Sequence, residues 1–317
     1  VSRHDWLRFA VRRSAALVLV LFVLVFATFM LVQLLPGDPA LAVAGPTATP
    51  AAVEQIRHEL GLDKSFGAQF TSYLDGLAHG NLGTSFQSDD SVTSIIRTRL
   101  PVTIDLIVVA LPLILVFGIG FGLLAGARTR DGTAHVAELA FTSSTTVIAA
   151  MPEFLLATFL AYLFAVRLRW LPVAGSTGFK TVILPALAIS IGPIAILARI
   201  VRIQTLDVLG TDYMRSARSK RLPTRILYMR HALPNVLTGA LTVGGLVFIN
   251  LVGGAVIVEN VFARNGLGTA LVTSVLERDY PVVRGTILVL GVMVVIVSAA
   301  VDATLAVVDP RSLAKDV

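Results

Sequence analysis

The sequence predicts an all-α integral membrane protein with six transmembrane helices, and three observations carry that reading. Of its 317 residues, 55% are hydrophobic and only 15% charged, with a mean hydropathy of +0.81. A soluble domain carries roughly 25% charged residues. Six apolar runs punctuate the chain, most near the about 20 residues that cross a bilayer. Lys and Arg concentrate in alternate connecting segments, as membrane topology requires. The pI near 10 is therefore a property of topology rather than of nucleic-acid binding.

The first expected span, Ser14 to Leu35, carries no charge. It is too long for the apolar core of a cleavable signal and lacks a small-residue cleavage site. The second, Val102 to Ala127, holds Asp105 near its start, and the third, Val147 to Val166, contains Pro152 and Glu153. The fourth, Val182 to Leu197, is shorter and contains proline. The fifth runs from Val236 to Val258, and the sixth, Gly285 to Val308, holds Asp302 near its end. Gly and Pro are tolerated in such runs because neighbouring helices satisfy the freed backbone groups.

Counting Lys and Arg orients these spans. With the N-terminus inside, the inner segments hold 16 basic residues and the longer outer segments 10. An N-in, C-in topology follows. It leaves a long first outer loop, Pro36 to Leu100, read as a helical lid. Thr49-Pro50 supplies an N-cap and a first-turn proline, Val53, Ile56 and Leu60 share one helical face, and Gly61 suits the stop.

The same topology places the most basic stretch of the chain in the cytosol. Arg199, Arg202, Arg215, Arg218, Lys220, Arg221, Arg225 and Arg230 lie within 32 residues between two apolar runs. Thr211 or Asp212 caps a helix start. Tyr213, Met214 and Ala217 form a small apolar face beside Arg215, Arg218 and Lys220. Leu222 precedes Pro223, so that helix ends there, and Thr224 caps a second short helix through Tyr228. Two short helices joined by a turn below the membrane make a docking knob.

Several chemistries are missing. No Lys follows a Gly, so the phosphate-binding GxxxxGK[ST] loop cannot occur. The five His show no metal spacing, there is no Cys, and no GxSxG elbow is present. Gly175-Ser176-Thr177-Gly178 superficially resembles a serine-protease site but has no His nearby. The expectation is a protein that is not itself an enzyme and binds no cofactor or metal. Ionisable residues inside spans are functional candidates, and Glu153 and Asp302 are the candidate pathway-lining residues. Asp105 lies close enough to the interface to be hydrated.

At this point the chain resembles the permease subunits of binding-protein-dependent ABC importers. Their coupling loop reads EAA, three residues, Gly, nine residues, then I-x-L-P. Here the EAA positions are Arg215-Ser216-Ala217, the Gly position is Arg221, and the last element is His231-Ala232-Leu233-Pro234. The spacing is kept while several identities are not. Further matches are similar to the dipeptide, oligopeptide and nickel branch. They are Leu34 to Ala40, Leu60-Gly61-Leu62-Asp63, Gly80 to Ser85, Leu100 to Thr103, Val258 to Phe262, Gly266-Leu267-Gly268, Arg278 to Val283 and Val308 to Arg311.

The resemblance implies the type I ABC importer permease fold and the B-type subunit. It implies residues 1–93 as an N-terminal tail, first helix and outer loop, and 94–317 as the transport domain with coupling loop 199–234. Within that loop it implies contact with an ATPase through Tyr213, Arg215, Ser216, Ala217, Arg218, Arg221, Leu222, Pro223, His231, Leu233 and Pro234. The implied partners are a homologous second permease, two ATPase domains holding ATP and Mg on the cytoplasmic face, and an extracytoplasmic substrate-binding protein. The implied cargo is dipeptides or short oligopeptides across a bacterial cell membrane. The same architecture also moves nickel, haem or another small solute, and a stand-alone channel or secondary carrier is the reading from a different class.

Overall fold

The computed structural model describes residues 3–34, 38–45, 47–130, 134–220 and 223–308. Their regular structure is helical. The first long helix, α1 (Arg3–Leu34), leads into α2 (Pro39–Ala44), α3 (Pro50–Glu59) and α4 (Phe66–Ala78). Then come α5 (Val92–Thr129), α6 (His135–Ala150) and α7 (Glu153–Leu160), the last continuing as π-helix over Ala161–Arg167. α8 (Lys180–Gly210) is followed by α9 (Asp212–Ser219). α10 (Thr224–Ile226) passes through π-helix at Leu227–Ala232 directly into α11 (Leu233–Val261). α12 (Leu267–Leu276) and α13 (Tyr280–Val308) follow.

Among the described residues, four helices are long and apolar enough to cross a membrane: the 11–31 part of α1, α5, α8 and the 280–300 part of α13. The pair formed by α6 with α7 and its extension, His135–Ala150 and Glu153–Arg167, also passes but is bent by 96°. α11 holds the described apolar stretch Ile249–Val261. This is the all-α membrane architecture that the sequence predicts.

Several expected boundaries shift. The second span begins ten residues earlier, at Val92, where Ser91 caps it through the Ser94 amide. The third is not one rod: it breaks at Met151-Pro152, because a proline has no N–H to continue the ladder. The fourth is not short. α8 runs on through Arg199 and Arg202 to Gly210, so these two cations belong to the helix rather than to a free insert.

The seam between α5 and α8 is the most extensive in the fold. It is built on Ala110, Ile114, Gly118, Gly122 and Gly126, a stripe at four-residue spacing that is buried throughout. Small residues at this spacing let helix backbones approach closely. Leu197, Val201 and Thr205 of α8 fill the space above the three glycines, and Ser190 donates from its hydroxyl to the Ala110 carbonyl at 3.2 Å. α11 packs beside α8, α13 beside α11, and α1 on the far side of α13.

The loop read as a lid holds three helices rather than one. Thr49 caps α3, accepting from the Ala52 amide, and Gly61 takes φ +64° just past its end, a left-handed conformation that glycine adopts without steric cost. α4 carries Phe66, Phe70 and Tyr73 onto Phe26 and Phe29 of α1, with ring centroids 5.2–6.5 Å apart. Arg284 of α13 sits 4.1 Å over the Tyr73 ring. The lid is thereby fastened to two spans.

Candidate functional site

The end of the molecule opposite the lid carries the basic knob. α8 stops at Gly210, and Thr211 caps α9, its hydroxyl accepting from the Met214 amide at 3.4 Å. Met214 and Ala217 then turn inward and are buried with Leu209, Leu227 and Ala232. A turn of helix with two apolar side chains thus plugs a socket made by the end of α8 and the start of the fifth span. Arg218 reinforces it by donating to the Leu209 carbonyl at 2.7 Å, satisfying a carbonyl near the end of α8. Across the gap, the Tyr213 hydroxyl and His231 Nδ1 share a 2.6 Å hydrogen bond.

What remains outward on α9 is mostly polar, while Ile226 and Met229 add exposed apolar surface beside it. Tyr213, Arg215, Ser216, Ser219 and Lys220 are exposed, as are Pro223 and Pro234. Arg215 pairs with Asp212 at 3.2 Å, with both groups in solvent. Such a pair contributes little to stability, so Arg215 stays available to a partner. Of the small apolar face of Tyr213, Met214 and Ala217, only the last two are buried: the Tyr213 ring is half in solvent and its hydroxyl goes to His231. The second short helix is not separate either. It runs without a break into α11, and the π-turn just before Pro234 explains how, since proline lacks the N–H of a regular turn. Arg221, Leu222 and the side chain of Asp302 lie outside the described residues.

Above the knob, α5, α6 and α8 are clamped together. The Arg202 guanidinium donates to Glu138 Oε1 at 2.6 Å and to Thr129 Oγ1 at 3.1 Å.

Glu153 is half-buried in the first turn of α7, at the 96° break. Its carboxylate lies directly over Gly254 of α11, where a Cβ would strike it. Asp105 is exposed. Among the described residues, no group of three His, Cys, Asp or Glu is placed to hold a metal ion.

The lid end contains a buried polar network whose roles the sequence did not disclose. Glu259 and Arg264 are fully buried. Glu259 accepts from Thr103 Oγ1 at 2.6 Å and, with its other oxygen, from the Gly268 amide at 2.7 Å. The Thr103 hydroxyl in turn accepts from the Leu267 amide at 2.9 Å. Together they cap the start of α12. Arg264 donates to the Thr181 carbonyl at 3.0 Å. Burial lowers the Arg264 pKa below the ordinary arginine value, and the nearby Glu259 and Asp105 carboxylates oppose that shift. Asp279 accepts from the Ser85 hydroxyl and, at 3.1 Å, from the Phe86 amide. The strings at 80–85 and 278–283 therefore meet, as do those at 100–103 and 258–268.

A family model described as "Binding-protein-dependent transport system inner membrane component" matches residues 118–313, and its N-terminal companion matches residues 6–107. The chain belongs to this family. It is 39% identical over 308 residues to a Brucella suis biovar 1 (strain 1330) protein named as a peptide transport system permease, covering 95% of this chain and 97% of that one. It is 36% identical over 311 residues to the glutathione transport system permease protein GsiC of Pectobacterium atrosepticum, covering 96% and 98%. In fold it is similar to the MetNI methionine ABC transporter in inward-facing conformations, with a TM-score of 0.56 at 17% identity, over 68% of this chain and 96% of that one.

The permease is thus a multi-pass protein of the bacterial inner membrane. It is the membrane component of an ABC importer, and the ATPase activity of such systems lies in separate subunits.

Proposed function

We propose that this permease forms half of the pathway of an ATP-driven importer of dipeptides or short oligopeptides. Six spans with both termini in the cytosol carry it. Residues 1–93 supply the first span and the extracytoplasmic layer, and 94–317 the transport domain. A homologous second permease completes the pathway. Two ATPases hold ATP and Mg on the cytoplasmic side, and a substrate-binding protein docks on the lid side. Closure of the ATPases on ATP pushes the coupling loop, residues 199–234, and opens the pathway outward. Hydrolysis returns it inward. Glu153, at a helix break, and Asp302 line the path. The cargo follows from relatives named for peptides and for glutathione, itself a short peptide.

The observation that carries this reading is the construction of α9. Met214 and Ala217 anchor it in the socket of Leu209, Leu227 and Ala232, while Tyr213, Arg215 and Ser216 point outward. A rigid element plugged into two spans transmits a push to both. Arg218 and His231 hold it, and Leu233 and Pro234 begin the span that it moves.

Met214→Asp tests the plug. A lone charge in this socket costs several kcal/mol if it stays buried, so α9 is expected to leave the socket. Stimulated ATP hydrolysis should persist in the reconstituted importer while peptide uptake falls at least about ten-fold, a loss equivalent to roughly 1.4 kcal/mol of coupling. Normal uptake by this variant would separate α9 from the mechanism.

Arg221 stands where the family pattern has Gly. If that turn is left-handed, Arg there costs roughly 1–2 kcal/mol, a cost that contact with an acidic ATPase surface would offset. Arg221→Glu is expected to insert normally and to uncouple transport, read as uptake per ATP hydrolysed. Unimpaired uptake would remove Arg221 from the contact.

A further inference from the structure

Under the lid, α3, α4 and the facing ends of α1 and α13 border a cavity of about 320 Å³. Arg284, in the second turn of α13, lines it. Its guanidinium lies 4.1 Å over the Tyr73 ring, which is fixed in turn by stacking on Phe29 and by a 3.4 Å hydrogen bond between its hydroxyl and Thr28 Oγ1. The ring attracts the cation through one face but accepts none of its in-plane N–H groups. Among the described residues no hydrogen bond or ion pair engages this guanidinium, and its Nε is buried without a partner. A cation held in a span without a carboxylate is a functional candidate, and leaving its donors unmet costs free energy. Lys64 and Glu59 line the same cavity. Both are exposed, and neither forms an ion pair with a described residue. Glu59 Oε1 accepts only from the neutral Gln55 amide, at 2.9 Å. The neighbouring charges are already matched, Arg57 with Asp38 and Glu54, and His58 with Asp63.

We propose that this cavity is a further peptide site, apart from Glu153, which holds the carboxylate of a free short peptide on Arg284 and Lys64 and its ammonium on Glu59. The charges argue for a zwitterion: two unpaired cations and one unpaired carboxylate share one cavity. A planar carboxylate matches the fork of a guanidinium whose face is already occupied. The volume lies within the roughly 300–1,000 Å³ of small-molecule pockets. A single acidic side chain from a docking protein would satisfy Arg284 but would leave Glu59 unmatched and much of the cavity unfilled. An occupant touches the lid and α13 at once, so it adds to the contacts that fasten the lid. That the ligand is a peptide rests on the proposed cargo. The unmatched guanidinium does not.

The test uses the assembled importer in detergent, without its substrate-binding protein, and measures equilibrium binding of labelled alanylalanine in competition with its C-terminal amide and its N-acetyl form. The dipeptide should bind saturably and the amide at least about ten-fold more weakly, as the loss of a charge-assisted hydrogen bond requires. Arg284→Gln should abolish that preference. Lys64→Gln, at an exposed position where folding is not at stake, should weaken dipeptide binding several-fold. Glu59→Gln, also exposed, should remove the preference over the N-acetyl form and keep that over the amide. Absence of saturable binding, or binding indifferent to Lys64→Gln and Glu59→Gln, would overturn the proposal. So would displacement by inorganic phosphate at concentrations matching the dipeptide, which would mark a simple anion site. If no peptide binds but Lys64→Gln weakens docking of the binding protein, the cavity receives a protein side chain instead, and the proposal falls. Binding is read without transport, so its failure leaves the importer reading standing. Intact binding here beside an importer that takes up no peptide would overturn the cargo reading alone.

Discussion

Gly122→Leu is expected to abolish recovery of a folded permease, while Gly120→Leu two residues away leaves it intact. Both glycines lie in the same span. A Cβ on Gly122 would stand 2.5 Å from Val201 Cβ and 2.6 Å from the Ala198 carbonyl oxygen, whereas a Cβ on Gly120 meets nothing within 4 Å. A backbone carbonyl cannot rotate away as a side chain can, so α5 and α8 must separate. Overpacking ordinarily costs about 1–3 kcal/mol. Here the strain falls on the most extensive seam of the fold, and the cost should reach or exceed that upper end. Leu is also the better helix former, so any loss at Gly122 is due to packing. The check is the yield of monodisperse protein and its thermal midpoint in detergent. Similar behaviour of the two variants would contradict the close-approach reading of the glycine stripe.

Glu259→Ala is expected to unfold the lid end. The substitution strands the Thr103 hydroxyl and the Gly268 amide, both buried, at about 1–3 kcal/mol for each unsatisfied donor. It also opens a void where the carboxylate lies against Gly266 and Gly268. Neither glycine tolerates a side chain here: a Cβ on Gly268 would sit 2.5 Å from Val256 Cα. Glu259→Gln keeps one acceptor oxygen but turns an amino group toward a second donor, so its loss should be intermediate. Limited proteolysis of the 262–280 segment reads the effect. The order Ala worst, Gln intermediate, Glu intact is the expected result, and equal protection of all three would remove Glu259 from the network.

These two sites also show what a linear reading reaches. The glycines of the stripe are visible at positions 118, 122 and 126, but their spacing means packing only once α8 is known to be the facing helix. Glu259 and Gly268 are visible as family-like strings. Their meaning is a contact between the end of one span and the start of the next short helix, with Thr103 brought from 156 residues away. Local chemistry was more legible. Thr49 and Thr211 cap the helices expected of them, and Gly61 marks a stop with positive φ.

A charge or a proline is a poor guide to a helix boundary in this chain. Arg97 and Arg99 hid the first turns of α5. Arg199 and Arg202 hid the last turns of α8, where Glu138 and Thr129 receive Arg202. The second short helix does not end at Tyr228, because a π-turn carries it through Pro234 into α11. The Tyr213 ring suits an apolar face, but its hydroxyl pairs with His231. Periodicity alone could not rank these alternatives.

Because the permease contains no Cys, Ser216→Cys places the only thiol of the chain on the outward face of α9. Cross-linking of this thiol in sealed inverted membrane vesicles, with ATP present and absent, addresses the coupling contact directly. A cross-link to an ATPase subunit whose yield changes with ATP is the expected result. A thiol reachable only from the extracytoplasmic side, or one that never captures an ATPase although the importer transports, would contradict both the topology and the coupling role.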